Sequence, residues 1–315
     1  MLADVLEQDV AVKVLRRVVA GQIRYPLLLV GDEGVGRRFS VQETIKEMVA
    51  LARGSHAPEL RQVTAGIHPD IHLVTAPVDK EIGVDAAREV CQQAQLFPTA
   101  SPHRFFIIDG ADRMTPAAAN AILKTLEELP AKSRFFLIAE SYDQVLSTIR
   151  SRCGRVNYNK LSEGLVLSRL QAVEPDPTKA LVYARLGEGS LGRSIRLWSS
   201  GRLALRDQAL SILQEAVGGD YPAAFSVIDD TKEDLRLAFR FLRHIAHDLL
   251  VVSVAPSRVI NFDIVEQLLA LREKAPGETW VRVASGLKGV RERDESAHIN
   301  LPFHLKSVLI DSLQG

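Results

Sequence analysis

The chain alternates short apolar runs with amphipathic stretches, and that alternation predicts its elements. Phe105 to Ile108 and Phe135 to Ala139 are too short for helices and rich in β-formers, so both are expected as buried parallel strands. Tyr25 to Val30 predicts another buried strand and Ile71 to Val74 a further one. Helical spacing fills the gaps. Residues 2–24 place Val5, Leu6, Val10, Val12, Leu15, Val18 and Val19 on or near one face of an amphipathic helix. A helix is expected from about Phe39 onward, and a short one over 84–95 with Asp85 at its positive end. Ala50 to Ile71 reads as a loop.

The stretch from Arg104 to Cys153 organises the rest. Thr115 is placed to cap a helix whose first position is Pro116 and which stops at Pro130. Ala118, Ala121, Ile122 and Leu126 share one face of it, which packs on the sheet. Strand, crossover helix and strand make a right-handed βαβ unit.

Past residue 160 the pattern becomes helical. Helices are expected over 163–172, 177–186 and 191–198, separated by Pro175, Pro177 and the glycines at 187, 189 and 192. In the helix expected over 233–251, Leu235, Ala238, Phe239, Leu242, Ile245, Ala246 and Leu249 form an apolar stripe beside Arg236, Arg240, Arg243 and His247. The expected organisation is an α/β parallel-sheet core over 1–160, a small helical lid over 161–202 and an all-α domain over 203–315.

Length and charge narrow the classes. At roughly one domain per ~150 residues, 315 residues suggest two or three domains. Lys plus Arg equal Asp plus Glu at 39 each, so no whole-chain field recruits nucleic acid or membrane, and any DNA contact is local or shared with other chains. With only Cys91 and Cys153, neither a disulfide framework nor a cysteine zinc site is expected. His56, His68 and His72 fit no zinc spacing and read as surface histidines. No signal peptide is read at the N-terminus and no run approaches ~18 apolar residues, so a cytoplasmic protein without membrane association is expected.

Candidate chemistry gathers at two strand tips. Asp109 ends a parallel strand where ligands of α/β sheets bind, in the place of the carboxylate that holds Mg²⁺ in P-loop ATPases. The residue that follows is Gly110, so the neighbouring base is missing. After Val30, GDEGVGRR aligns Gly31 and Gly36 with the glycines of G-x-x-x-x-G-K-[ST] and adds Gly34. Arg37 replaces the phosphate-reaching lysine and Arg38 the Mg²⁺-binding hydroxyl, while Asp32 and Glu33 oppose an incoming triphosphate. This is an eroded nucleotide site. Arg37 remains a possible anion ligand, but hydrolysis is not expected. At the next strand tip Glu140 would repel a γ-phosphate, whereas Ser141 could sense one, and the position stays ambiguous.

Asp109 to Pro130 followed by LSTIRSRC, residues 146–153, resembles the clamp-loader branch of the AAA+ ATPases. Pairing SRC with a degraded P-loop resembles the non-hydrolysing subunits of the bacterial DNA polymerase III clamp loader. His68–Asp70, Gly189–Leu197 and the terminal INLPFHLKSVLIDSL, from Ile299, extend the likeness. The resemblance implies that Arg152, set by Ser151 and Cys153, enters a neighbour's ATP site as a trans arginine finger. It implies that Arg193 matches a second sensor arginine, here vestigial, and that the 203–315 domain forms an oligomeric collar. Implied partners are gamma/tau-type ATPases and delta in a hetero-oligomer, with the sliding clamp and primed DNA reached through that complex. Four zinc-binding cysteines of many relatives are missing before His68, so no metal site is expected. Two alternatives remain open: a divergent ATPase that uses Arg37, and a phage or repair assembly factor on the same core.

Overall fold

A computed structural model describes residues 1–76, 80–226, 232–289 and 301–314. It divides into two compact units, Met1–Ser162 with Ser190–Gly192, and Glu163–Gly189 with Arg193–Gly315.

The first unit runs α1 (Asp9–Val19), β1 (Leu27–Val30), α2 (Arg37–Arg53), α3 (Pro58–Ala65), β2 (Ile71–Thr75), α4 (Val84–Ala94), β3 (Arg104–Asp109), α5 (Pro116–Glu127), β4 (Ser133–Ala139), α6 (Ser147–Arg150) and β5 (Gly154–Asn157). The strands form one parallel sheet in the order β2-β3-β4-β1-β5. β3 and β4 are neighbours joined through α5, with Asp109 paired to Ile138, as the βαβ pattern predicts. Thr115 caps α5 by accepting from the Ala118 amide at 3.1 Å.

Alternation along the strands builds two cores. Leu27, Leu29, Phe105 and Phe136 pack with Leu15, Val41 and Ile45 on one face of the sheet. Leu28, Phe106, Ile108 and Leu137 pack with Val90 and Ile122 on the other. Each such side chain contributes about 1.5–3 kcal/mol on burial, so the strand tips that carry the candidate chemistry rest on a stiff base.

Local features differ from the sequence reading. Residues 2–24 are not one helix: a single 3₁₀ turn, Leu2–Asp4, precedes α1, and Glu7 between them has φ 54°. The Glu7 carboxylate accepts from the backbone N–H and the hydroxyl of Ser162, which holds the break in place. The 50–71 segment contains α3, started by Pro58 and stopped at Gly66 with φ 72°. β5 escaped prediction because only Val156 of its four residues is buried.

Of the three histidines read as surface groups, only His56 is exposed. His68 is buried and its Nδ1 accepts from the Asp70 amide at 3.1 Å, while burial holds its pKa below the ordinary value. His72 is half-buried and stacks on Phe106 at 4.9 Å. Between them Asp70 accepts from the amides of Thr99, Ala100 and Ser101 at 2.7–2.8 Å and ties the start of β2 to the loop before β3.

The second unit is helical: α7 (Glu163–Leu170), α8 (Pro177–Leu186), α9 (Leu191–Ser200), whose first two residues cluster with the first unit, α10 (Ala204–Val217), α11 (Tyr221–Ser226), α12 (Lys232–Val251), α13 (Val265–Glu273), α14 (Gly277–Gly289) and α15 (Leu301–Gln314). Phe239, Leu242, Ile245, Ala246 and Leu249 of α12 are buried, and Leu235 and Ala238 are half-buried. Asp248 is buried among them, accepting from the amides of Ile260 and Asn261 at 2.8 Å each. Ile299 and Asn300 of the terminal motif lie outside the described residues. Among the described residues no helix is long and apolar enough to cross a membrane.

Candidate functional site

β1 delivers the glycine loop to the C-terminal edge of the sheet. Gly31 donates to the Ala139 carbonyl at 3.3 Å and passes so close to β5 that a Cβ would sit 2.6 Å from the Tyr158 carbonyl oxygen. Only glycine fits there. Gly34 and Gly36 have φ of 79° and 101°, and Gly36 leads into α2.

Of the two arginines that follow, the first is buried and the second is exposed. Arg37 is 6% exposed and its Nη1 donates to the Ala139 carbonyl at the end of β4. Arg38 places its Nη1 3.9 Å from Asp109 Oδ2. Lys160 lies 3.7 Å from Asp32, the Ser190 hydroxyl donates to the Glu33 carbonyl at 2.6 Å, and the Gly192 amide donates to the Gly34 carbonyl at 3.0 Å. Residues of the same unit therefore occupy the loop's cations and carbonyls.

Asp109 sits at the tip of β3, as its sequence position predicts. Burial raises its pKa, against the pull of Arg37, Arg38 and Arg113. Gly110 takes φ 108° and turns the chain so that Asp112 faces the neighbouring strand tip. Asp112 Oδ2 accepts from the amides of Glu140 at 2.8 Å and Ser141 at 3.0 Å. Those are the two residues weighed as a phosphate sensor. Sequence reasoning missed this role of Asp112, since its partners lie 28 and 29 positions away.

A second corner forms around α6. Cys153 is half-buried against the α4–α5 side of the core, where burial pushes its thiol up to about 12. Ser151 donates to the Thr148 carbonyl at 3.0 Å. Arg152 is held at three points: Nε donates to Glu127 Oε1 at 2.6 Å, Nη2 to the same oxygen, and Nη1 to the Thr148 carbonyl at 2.7 Å. Nη1 also lies 3.3 Å from Ser151 Oγ. Its neighbours divide the other acids and rings: Arg150 pairs with Asp143 at 3.2 Å, and Arg150 and Arg155 both lie over the Tyr142 ring, at 4.9 and 4.0 Å. Glu127 went unnoticed in the sequence, although TLEEL places it at the end of the helix before Pro130.

The structure thus brings Gly31, Gly34, Gly36, Arg37, Arg38 and Asp109 together, and Ser151, Arg152 and Cys153 form a corner of their own in the same unit. Arg193 belongs to the second unit, where Nη1 lies 3.3 Å from the Gly187 carbonyl and 3.6 Å from Glu188 Oε2.

Residues 7–162 match the family model described as DNA polymerase III, delta subunit. The chain is similar to DNA polymerase III subunit delta' of Escherichia coli (strain K12), with 30% identity over 213 residues, 66% of this chain and 63% of that relative. The match therefore spans less than two thirds of that relative's length. To the subunit delta' of Bacillus subtilis (strain 168) it is 24% identical over 294 residues, covering 89% of this chain and 87% of the other. Among solved structures it is similar to a DNA polymerase III gamma subunit-related protein from Thermotoga maritima, with TM-score 0.50 and 20% identity over 96% of this chain and 98% of that one. At that identity the likeness speaks for the fold alone.

Proposed function

Because the chain belongs to the DNA polymerase III delta-prime subunit family, we propose that it is a clamp-loader subunit that hydrolyses no ATP itself and lends Arg152 to the ATP site of a neighbouring motor subunit. Its partners in this reading are gamma/tau-type ATPases and delta in a cytoplasmic hetero-oligomer, and the sliding clamp and primed DNA are handled by the whole assembly. No zinc and no resident nucleotide are part of the proposal.

One contrast carries it. Where a P-loop ATPase needs a lysine, a hydroxyl and a second carboxylate, this chain has Arg37 bonded to Ala139, Arg38 beside Asp109, and Gly110. Arg152, by comparison, sits on the partly exposed α6 corner, its side chain 29% accessible. A divergent ATPase that used Arg37 for phosphate would first have to withdraw a buried guanidinium from its carbonyl partner, which weakens that rival.

In trans, a guanidinium placed against the transferring phosphoryl group neutralises charge that grows in the transition state, an effect worth about 10³- to 10⁵-fold in rate. The test is reconstitution with candidate gamma/tau-type and delta subunits, measuring ATP turnover with the native chain and with Arg152→Ala. Intact assembly with strongly slowed turnover is expected; unchanged turnover removes the finger role.

A further inference from the structure

Arg152 is not waiting with an empty guanidinium. Two of its nitrogens, Nε and Nη2, converge on one oxygen of Glu127, and the third donates to the Thr148 carbonyl. The placing of Glu127 is unusual in itself. It is the last residue of α5, where the helix presents its unpaired carbonyls and negative end, and Glu128 follows at once. A carboxylate there is disfavoured unless a cation answers it, and the cation that does so comes from 25 residues further along the chain.

We propose that Glu127 is a carboxylate latch for Arg152, occupying the guanidinium in the free chain and surrendering it to phosphate when a neighbouring subunit's nucleotide arrives. The role of the incoming phosphate rests on the finger reading above. Three features fit a releasable hold. The pair is exposed, at 29% for the Arg152 side chain and 47% for Glu127, so water and salt weaken it. The Nε and Nη2 edge that Glu127 takes is the fork with which arginine binds carboxylates and phosphates bidentately, so the two anions compete for one set of donors. The Thr148 carbonyl holds Nη1 independently of Glu127, which keeps the arm beside α6 while its outer edge changes partner. Glu127 is accordingly a positioning residue, acting through Arg152.

Two measurements separate the latch from the finger. In the first, the full chain alone is treated with phenylglyoxal, which reacts with free guanidinium groups, and labelling of Arg152 is followed by peptide mass spectrometry. Glu127→Gln and Glu127→Ala should each label Arg152 about three- to tenfold faster than the native chain. Arg150, whose acid is Asp143, serves as the internal reference and should label at one rate throughout. Equal labelling of Arg152 in all three proteins overturns the latch, whatever the finger does. In the second, the reconstituted complex carrying Glu127→Gln should turn over ATP about two- to fivefold faster, and the gain should vanish when Arg152→Ala is added. Unchanged or slower turnover in a complex that depends on Arg152 overturns the competitive role. If Arg152→Ala leaves turnover unchanged, the finger reading fails and the labelling result alone decides the latch.

Discussion

Two arginine-bearing corners of one parallel-sheet unit have met opposite fates. At the glycine loop, Arg37 is buried and spends its guanidinium on the Ala139 carbonyl, and Arg38 leans toward Asp109. At α6, Arg152 keeps a partly exposed guanidinium on an acid that water can reach. Burial decides the difference. A buried guanidinium must hold its hydrogen-bond partner, because losing it leaves a desolvated charge, whereas an exposed one exchanges partners at small cost. Arg37 is locked into the fold, whereas Arg152 keeps a partner that it can exchange, as the proposed finger role requires.

The strongest way to break this comparison is Arg152→Lys. It keeps the charge and removes the fork, and if bidentate contact is what the neighbour's phosphate needs, turnover of the complex should fall about 10²-fold or more. Stability of the chain should move by no more than about 1 kcal/mol, since the lost pair is exposed. Steady-state ATPase assays beside urea denaturation check both halves.

The converse variant is Arg37→Met, which strips a buried donor from Ala139. A loss of about 1–3 kcal/mol in unfolding free energy is expected, with turnover of the assembled complex unaltered. Undiminished stability with lost activity would make Arg37 a ligand-binding group instead. Asp112→Ala should cost about 1–2 kcal/mol through the released amides of Glu140 and Ser141, read by the same denaturation series.

The smallest effect belongs to Asp109. Burial raises its folded pKa above the ordinary 3.8, so the native state holds a proton more tightly than the unfolded chain. Stability should therefore fall as pH rises from 3.8 through the raised value, and stay lowered at neutrality. Asp109→Asn should remove that slope and be at least as stable as the native chain at pH 7. A clear loss at pH 7 would mean that its attraction to the nearby guanidinium groups of Arg37 and Arg38 outweighs burial.

Much of this was legible in the sequence, and the limits were physical. The β3-α5-β4 unit announced itself because its signals are local: Thr115 and Pro116 start the helix, and the flanking apolar runs are fully buried. The two halves of the 2–24 segment share one apolar rhythm, and the contacts at the break, Glu7 with Ser162 and Gln8 with Asn159, reach more than 150 positions along the chain. His68 looked like a surface residue because nothing local marks its burial or the tie that the neighbouring Asp70 makes to the 99–101 loop. The departure of Arg37 and Arg38 from the G-x-x-x-x-G-K-[ST] pattern was legible, but not that Arg37 folds back on Ala139, 102 positions away. The same holds for Glu127 and Arg152, whose pairing depends on where α5 ends relative to α6. Contacts made across the sheet edge leave no period and no motif.

The claim that the glycine loop has become structure while Arg152 remains available is tested most directly by Mg²⁺-dependent ATP turnover of the purified full chain alone. No turnover above background is expected, from the native chain or from Arg37→Met. Hydrolysis by the native chain that disappears with Arg37→Met or Asp109→Asn would contradict the account.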